Sequence, residues 1–286
     1  MTVLFSLIGE QTVPILLVDR FLRPQEHWLL HTAFSQPYAQ RLQRVLPHSR
    51  LVEVPDYALE ELRRLLREQV TRVPQAILNL TSGTKPMSWA AYEVAREFRI
   101  PFVYLRTQGP HDRLYTFTWQ GDTLMQNETT LPALITLEDY LQVHGLPRPK
   151  KEGLIQNSQE KALRDFFCNR VDECRWGLQF PAFEIDFLLR RRNRVAVVEA
   201  KDERASRRRR RRYGLDQLTT IAGREHLGIY TGKIWVLSRP LGSRALRDLA
   251  AAYRVQVVVV ALDANGQLTA ESEKSLEQAL DTVLGP

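Results

Sequence analysis

The stretch FEIDFLLRRRNRVAVVEAKD, residues 183–202, decides how the second half of this chain is read. Two runs rich in apolar residues, Phe183–Leu189 and Arg194–Ala200, flank a tight polar turn at Arg190–Asn193, the pattern of a β-hairpin. Asp186 lies in the first run, and Glu199 and Lys201 lie at the end of the second. Side chains at i and i+2 share one face of a strand, so Glu199 and Lys201 point the same way, and Asp186 sits beside them across the hairpin. An acid and a base placed straight after an apolar strand core are costly unless they have partners. A hairpin with scattered surface charge is the plainer alternative. Two carboxylates and a lysine at the end of a sheet suit hydrolysis assisted by Mg²⁺ or Mn²⁺. The ion acidifies a bound water and neutralises phosphate charge, and the lysine orients that water or stabilises charge developing at phosphorus. A third carboxylate is expected from the preceding helix, Glu160, with Glu184, on the face of Asp186, as the alternative.

The pattern Asp186, a hairpin, then Glu199-Ala200-Lys201 resembles the PD-(D/E)XK nuclease superfamily over roughly residues 155–262. The resemblance implies a restriction-endonuclease-like α/β domain, a metal-dependent endonuclease, with Glu160, Asp186, Glu199 and Lys201 catalytic and Glu160, Asp186, Glu199 and Ala200 at the metal.

Outward from this hairpin, a helix is expected at Ser158–Cys168. Further helices are expected near Tyr213–Ala222, at Ser243–Tyr253 and at Ala270–Leu284, with strands at Lys233–Leu237 and Val255–Val260. Six consecutive arginines, Arg207, Arg208, Arg209, Arg210, Arg211 and Arg212, follow the motif closely. A block of like charge reads as a flexible loop. Guanidinium groups pair bidentately with phosphate, so the loop is a sequence-blind nucleic-acid clamp; a solvated loop is the alternative. Gln217, just beyond, is expected to help orient substrate.

Charge divides the chain. The formal net charge is +7; residues 1–150 hold 16 Lys+Arg against 15 Asp+Glu, and residues 151–286 hold 24 against 18. A basic half beside a neutral one points to a polyanion partner for the basic half. No stretch approaches a membrane span, and MTVLFSLIGEQ lacks the basic region of a signal peptide. Cys168 and Cys174 form no CxxC pair, so neither a disulfide framework nor a zinc knuckle is expected, and a reduced, cytoplasmic setting fits.

The first half alternates strand-like runs, Thr2–Ile8, Trp28–Thr32, Leu51–Val54, Ala76–Leu80 and Pro101–Arg106, with helical patterns at Pro14–Leu22, Tyr38–Leu46, Ala58–Val70 and Pro86–Phe98. Such alternation predicts a Rossmann-like, doubly wound α/β domain with a mainly parallel sheet. Leu114–Trp119 reads as an added edge strand and Leu137–His144 as a short helix. The division expected is 1–144 for a sensing domain, 145–153, GLPRPKKEG, for a linker, and 154–286 for a nuclease domain.

Two loops after strands stand out, SLIGEQTVP at Ser6–Pro14 and NLTSGTKPM at Asn79–Met87. In a doubly wound sheet such loops form the ligand crevice. Small residues let backbone N–H groups approach phosphate, the following helix adds its dipole, and Thr81, Ser82, Thr84 and Lys85 add hydroxyls and a charge. Gly83-Thr84-Lys85-Pro86 breaks the P-loop spacing, which removes an ATPase reading. A helix cap with a turn is the plainer reading of either loop alone. Together the loops resemble those of the CARF domains of CRISPR-associated ancillary nucleases. That resemblance implies a homodimer binding one cyclic oligoadenylate, cyclic tetra-adenylate foremost, through Gly9, Glu10, Gln11, Thr12, Thr81, Ser82, Gly83, Thr84, Lys85 and Met87. It also implies allosteric activation of DNA cleavage, with RNA as a further substrate, in type III CRISPR antiviral defence. A CARF regulator without nuclease activity, or a repair or restriction nuclease not under such control, stays open on the residues alone. His27 and His31, four apart, read as strand residues with a structural role rather than as a metal pair.

Overall fold

The computed structural model describes residues 1–55, 57–107, 111–201, 208–223, 226–228 and 230–286, with the backbone alone at 208–213. The chain divides into two compact units, Met1–Ile135 with Gln142–Gly145, and Thr136–Leu141 with Leu146–Pro286.

The first unit is a seven-stranded sheet in the order β3-β2-β1-β4-β5-β6-β7, built from β1 (Thr2–Leu7), β2 (Glu26–His31), β3 (Ser49–Glu53), β4 (Gln75–Asn79), β5 (Phe102–Arg106), β6 (Arg113–Gln120) and β7 (Thr123–Thr130). β1 to β5 pair in parallel; β6 and β7 are antiparallel. Parallel strands are covered on both faces and therefore read as nearly continuous apolar runs, as in TVLFSL of β1, buried from Val3 to Leu7. The connecting helices are α1 (Val13–Leu22), α2 (Gln36–Val45), α3 (Leu59–Val70) and α4 (Lys85–Phe98). α3 sets Leu62, Leu66 and Val70 four residues apart on one stripe, which packs with Met87, Ala90 and Val94 of α4 over Val3, Phe5 and Leu7. Leu114–Trp119 was expected at the sheet edge, but β6 is interior; β7, almost wholly exposed, is the edge.

A polar network runs through this core. The Asp19 carboxylate on α1 lies 2.7 Å from His27 Nδ1 and 2.8 Å from His48 Nε2. His27 Nε2 lies 2.7 Å from Ser6 Oγ, which accepts from Asn79 Nδ2 at 3.1 Å. Burial lowers the His27 pKa against the opposing pull of Asp19. His31 is also buried, its Nδ1 beside the Thr32 carbonyl at 3.1 Å.

The second unit is a five-stranded sheet, order β12-β11-β10-β9-β8, made of β8 (Glu173–Gln179), β9 (Glu184–Arg191), β10 (Arg194–Lys201), β11 (Gly232–Leu237) and β12 (Gln256–Val259). β8, β9 and β10 form an antiparallel meander, and β10, β11 and β12 run parallel. After α5 (Leu137–Val143) come α6 (Ser158–Cys168), α7 (Arg208–Ile221), α8 (Arg244–Ala252) and α9 (Ala270–Leu284). Leu163, Phe166 and Phe167 of α6 and Leu276 and Leu280 of α9 pack on Phe187, Leu189, Ala196, Val198, Ile234 and Val236. Strand alternation therefore turns Glu184, Asp186, Glu199, Lys201 and Trp235 to the opposite face, where α7 buries Leu215 and Leu218.

Three expectations are corrected here. Cys168 and Cys174 form a disulfide, with Cα atoms 5.1 Å apart; the turn at 169–172 from α6 into β8 brings the two within bonding range. Residues 150–153, expected as part of a free linker, pair along the outer edge of β8. Lys150 N–H donates to the Gln179 carbonyl at 2.7 Å, Gln179 N–H to that of Lys151 at 2.9 Å, and Gly153 N–H to that of Trp176 at 2.8 Å. The arginine run was expected as a loop, yet α7 begins at Arg208. Arg207 and the side chains of Arg208–Arg212 lie outside the described residues. Among the described residues no helix is long and apolar enough to cross a membrane.

Candidate functional site

In the second unit the hairpin delivers its acids to one place. The last regular pair of the β9–β10 ladder is Val198↔Phe187. One step further, Ala200 N–H donates to the Asp186 carboxylate at 2.7 Å, so a side chain replaces the ladder acceptor and ties Asp186 to the Glu-Xaa-Lys strand. Glu199 is fully buried and ion-paired with Lys201, whose side chain is 31% exposed. Apart from that ammonium, neither Glu199 oxygen has a hydrogen-bond partner among the described residues.

Such a carboxylate is under strong electrostatic stress. Burial, and then the charge of Asp186, push Glu199 up to about 8, against the pull of Lys201. Burial pushes Asp186 up to about 6, opposed by Lys201 and the Ala200 N–H and reinforced by Glu160 and Glu184. Burial disfavours the Lys201 charge, but the carboxylates of Glu199, Asp186 and Glu184 outweigh this, and its pKa rises. Mutually repelling acids with orphaned buried oxygens fit a divalent cation, which would hold both in their charged form.

This arrangement predicts a stability profile. The Glu199 pKa is raised on folding from an ordinary 4.5 to about 8. The folded state therefore holds its proton more tightly, and stability present below pH 4.5 is lost as pH rises toward 8. With a chelator present, the melting temperature should fall across that range. Glu199→Gln should flatten the fall; an equally steep decline in that variant would remove Glu199 as its source.

The other predicted residues fall in different places. Glu160 caps its own helix. Its N–H donates to Asn157 Oδ1 at 2.9 Å, Asn157 Nδ2 donates back to Oε1 at 2.9 Å, and Gln156 N–H donates to Oε2 at 2.7 Å. Glu184 shares the face of Asp186 and has no such commitment among the described residues. Gln217 donates from Nε2 to the Glu184 carbonyl at 2.9 Å, holding β9 rather than reaching outward. Two contributors escaped the sequence reading. A side chain at Gly214 would come within 3.1 Å of Trp235 Nε1 and 3.5 Å of Lys201 Cε and Cγ, so the bare backbone of α7 makes room for the lysine stem. Trp235, opposite Glu199 in the β10–β11 register, is buried with no partner for its indole N–H among the described residues. Gly214, two residues past the arginine run, was the available signal for such an approach.

In the first unit β1 and β4 are neighbours, and the chain leaves them toward opposite ends of the sheet, which puts the loops after them at the topological switch point. The two loops touch: Gly9 N–H donates to Ser82 Oγ at 3.0 Å. Gly83 has φ +80°, and a Cβ there would lie 2.7 Å from Leu7 Cβ. Thr84 caps α4 by accepting from Met87 N–H at 3.3 Å, with Pro86 in the first turn. Asn79 Oδ1 accepts from the N–H and hydroxyl of Thr81 at 3.1 and 2.5 Å, and Thr81 Oγ1 accepts from Leu105 N–H at 2.9 Å. Lys85 is exposed, and Glu10, Gln11 and Ser82 are half-buried. Two predicted contacts turn inward instead. Met87 is 1% exposed, a core residue, and Thr12 is 3% exposed, its hydroxyl donating to the Val143 carbonyl at 3.2 Å.

With this geometry the chain was compared with known proteins. Residues 3–140 match the family described as the Card1 CARF domain. No curated protein matches significantly. Among solved structures, Can2 from Sulfobacillus thermosulfidooxidans, in complex with cyclic tetra-adenylate, is 15% identical with a TM-score of 0.75, covering 99% of either chain. VC1899 from Vibrio cholerae is 12% identical with a TM-score of 0.72, over 100% of this chain and 99% of that one. A type III CRISPR defence DNA nuclease activated by cyclic oligoadenylate is 20% identical with a TM-score of 0.61, over 98% of this chain and 51% of its own. At these identities the structural likeness is one of fold. Residues 3–140, which hold both loops, are similar to the Card1 CARF domain.

Proposed function

We propose that this chain is a cyclic-oligoadenylate-activated nuclease of type III CRISPR antiviral defence, with a sensing first unit and a PD-(D/E)XK nuclease second unit. The observation that carries the reading is the buried Asp186–Glu199–Lys201 cluster, in which Glu199 Oε2 has no partner among the described residues, in a chain whose residues 3–140 match a CARF domain. Asp186, Glu199 and the Ala200 carbonyl would hold Mg²⁺ or Mn²⁺. Glu184 is the third carboxylate we favour, because Glu160 is committed to its helix N-terminus. The ion, when bound, supplies an acidified water and neutralises phosphate charge. Lys201 donates to a non-bridging oxygen of the scissile phosphate, and Asp186, fixed by the Ala200 N–H, keeps the two strands in register around it. The substrate is DNA, cut or nicked, with single-stranded RNA as a second target, and Arg207–Arg212 supply sequence-blind phosphate contacts.

The activator, cyclic tetra-adenylate, binds a homodimer at the crevice lined by Gln11, Ser82, Gly83 and Lys85 of each subunit. Activation requires that it bind the active and inactive arrangements with different affinity. The test is relaxation of supercoiled plasmid with Mn²⁺, with and without cyclic tetra-adenylate. Cutting only when both are present is expected; equal cutting without the activator removes the sensing role, and no cutting under any condition removes the nuclease. Lys85→Ala removes an exposed charge from each subunit's crevice. It should raise the activator concentration needed for half-maximal cutting by about 100-fold, the effect of losing two charge-assisted contacts, one per subunit, of ~1.4 kcal/mol each. The maximal rate should not change. An unshifted activation curve would take Lys85 out of the crevice.

A further inference from the structure

The Asp19 network has the make-up of a second metal site, one that needs nothing from the nuclease reading. Its donors come from three separate parts of the first unit: Asp19 from α1, His27 from β2, and His48 from the turn between α2 and β3. One ligand atom from each lies within 4.8 Å of the others. The side chains of Asp19 and His27 are 3% and 0% exposed, and that of His48 is 33% exposed. Asp19 and His48 also line a cavity of about 600 Å³, together with Arg20, Arg23, Pro47 and Leu134.

Two imidazoles and a carboxylate with one open side are a donor set of the zinc class, in which three protein ligands leave a fourth position for water or an exogenous group. Ligating histidines almost always bond through the remaining ring nitrogen, which fixes tautomer and ring plane. His27 has that partner in Ser6 Oγ at 2.7 Å. The support continues through Asn79 to Thr81 and the Leu105 backbone, all hydrogen-bonded. Without an ion the same carboxylate accepts a proton-bearing nitrogen from each ring, so the site is satisfied as a hydrogen-bonded cluster. Binding through those two nitrogens leaves each ring neutral: its proton moves to the other ring nitrogen, on His27 from Nδ1 to Nε2, where Ser6 Oγ accepts it.

We propose that Asp19, His27 and His48 form a Zn²⁺-class divalent cation site whose fourth coordination position opens into this cavity. Arg20 and Arg23 on the cavity wall raise the local positive potential, so the fourth ligand it favours is an anion, hydroxide or a phosphate or carboxylate oxygen.

The test uses the full chain bearing Glu199→Gln, which disables the carboxylate cluster of the second unit, with excess Mg²⁺ throughout. After incubation with Zn²⁺ and desalting, about one zinc per chain should remain by plasma mass spectrometry. Co²⁺ in its place should give the visible absorption of a four-coordinate nitrogen and oxygen site. His48→Ala, a partly exposed change that leaves the core alone, should weaken Zn²⁺ binding by about 100-fold or more, since even an outer-shell partner is worth 10–100-fold. Asp19→Asn should do the same while thermal melts confirm that the variant is folded. Failure of the parent to retain zinc, or unchanged stoichiometry and affinity in folded His48→Ala, would overturn the site. Neither readout involves cleavage or cyclic oligoadenylate.

Discussion

Glu199→Gln should abolish most metal-dependent cleavage, by about 10²–10³-fold or more, the scale on which one preorganised electrostatic group is lost from an active site. The substitution keeps the shape of the side chain and removes its charge. Glu199 is fully buried and, among the described residues, paired with Lys201, so solvent does not stand in for its charge beneath a cation. The fold should survive, because the neutral amide relieves the desolvation and the repulsion from Asp186 that hold the Glu199 carboxyl up to about 8. The loss should appear in kcat with plasmid affinity nearly unchanged, as for an interaction made at the reacting centre rather than in uniform binding. Binding of cyclic tetra-adenylate, measured by calorimetry on the same preparation, should stay at the wild-type value. Undiminished Mn²⁺-dependent nicking by this variant would remove Glu199 from the metal site and the nuclease assignment with it.

Gly83→Val should cripple the sensing crevice through the backbone. Position 83 has φ +80°, and a Cβ there would lie 2.7 Å from Leu7 Cβ, inside any real contact. The left-handed backbone alone costs a substituted residue about 1–2 kcal/mol, and the clash adds to it. The loop must then move away from β1, which breaks the Gly9 N–H bond to Ser82 and displaces the N-terminus of α4. Since 1.4 kcal/mol is a factor of ten, cyclic tetra-adenylate affinity should fall by at least about tenfold. Gly83→Ala should show a smaller loss of the same sign. Wild-type affinity in Gly83→Val would mean that the ligand does not use this loop.

What was legible in the sequence follows from burial. The central strands β1 and β2 are buried along nearly their whole length, and their apolar runs announce the doubly wound α/β domain. The hairpin was equally plain, because its turn and its apolar strands differ so sharply. β7, TLMQNETT, lies on the sheet edge almost wholly exposed, so no apolar alternation marks it. β8, ECRWGLQ, is mostly half-buried and was missed for the same reason. The site divided along similar lines. Asp186, Glu199 and Lys201 were readable because charge after an apolar strand is anomalous. Asn157-Ser-Gln-Glu160 has the spacing of a capping box, and Glu160 makes that local bond while its charge still bears on Asp186. Trp235 was silent, because its place against Gly214 depends on the packing of α7 over β10 and β11, which no local pattern encodes.

The segment at 150–153 has a consequence for where this chain tolerates a break. By joining the outer side of β8, it covers N–H and C=O groups that would otherwise form a bare sheet margin. A cut at the Gly153–Leu154 bond, where composition invites one, would strip that cover and leave β8 as an adhesive rim open to pairing with another molecule. The natural seam for proteolysis, circular permutation or domain exchange therefore lies before Lys150, and the stretch Lys150–Gly153 beyond it serves as hem rather than hinge.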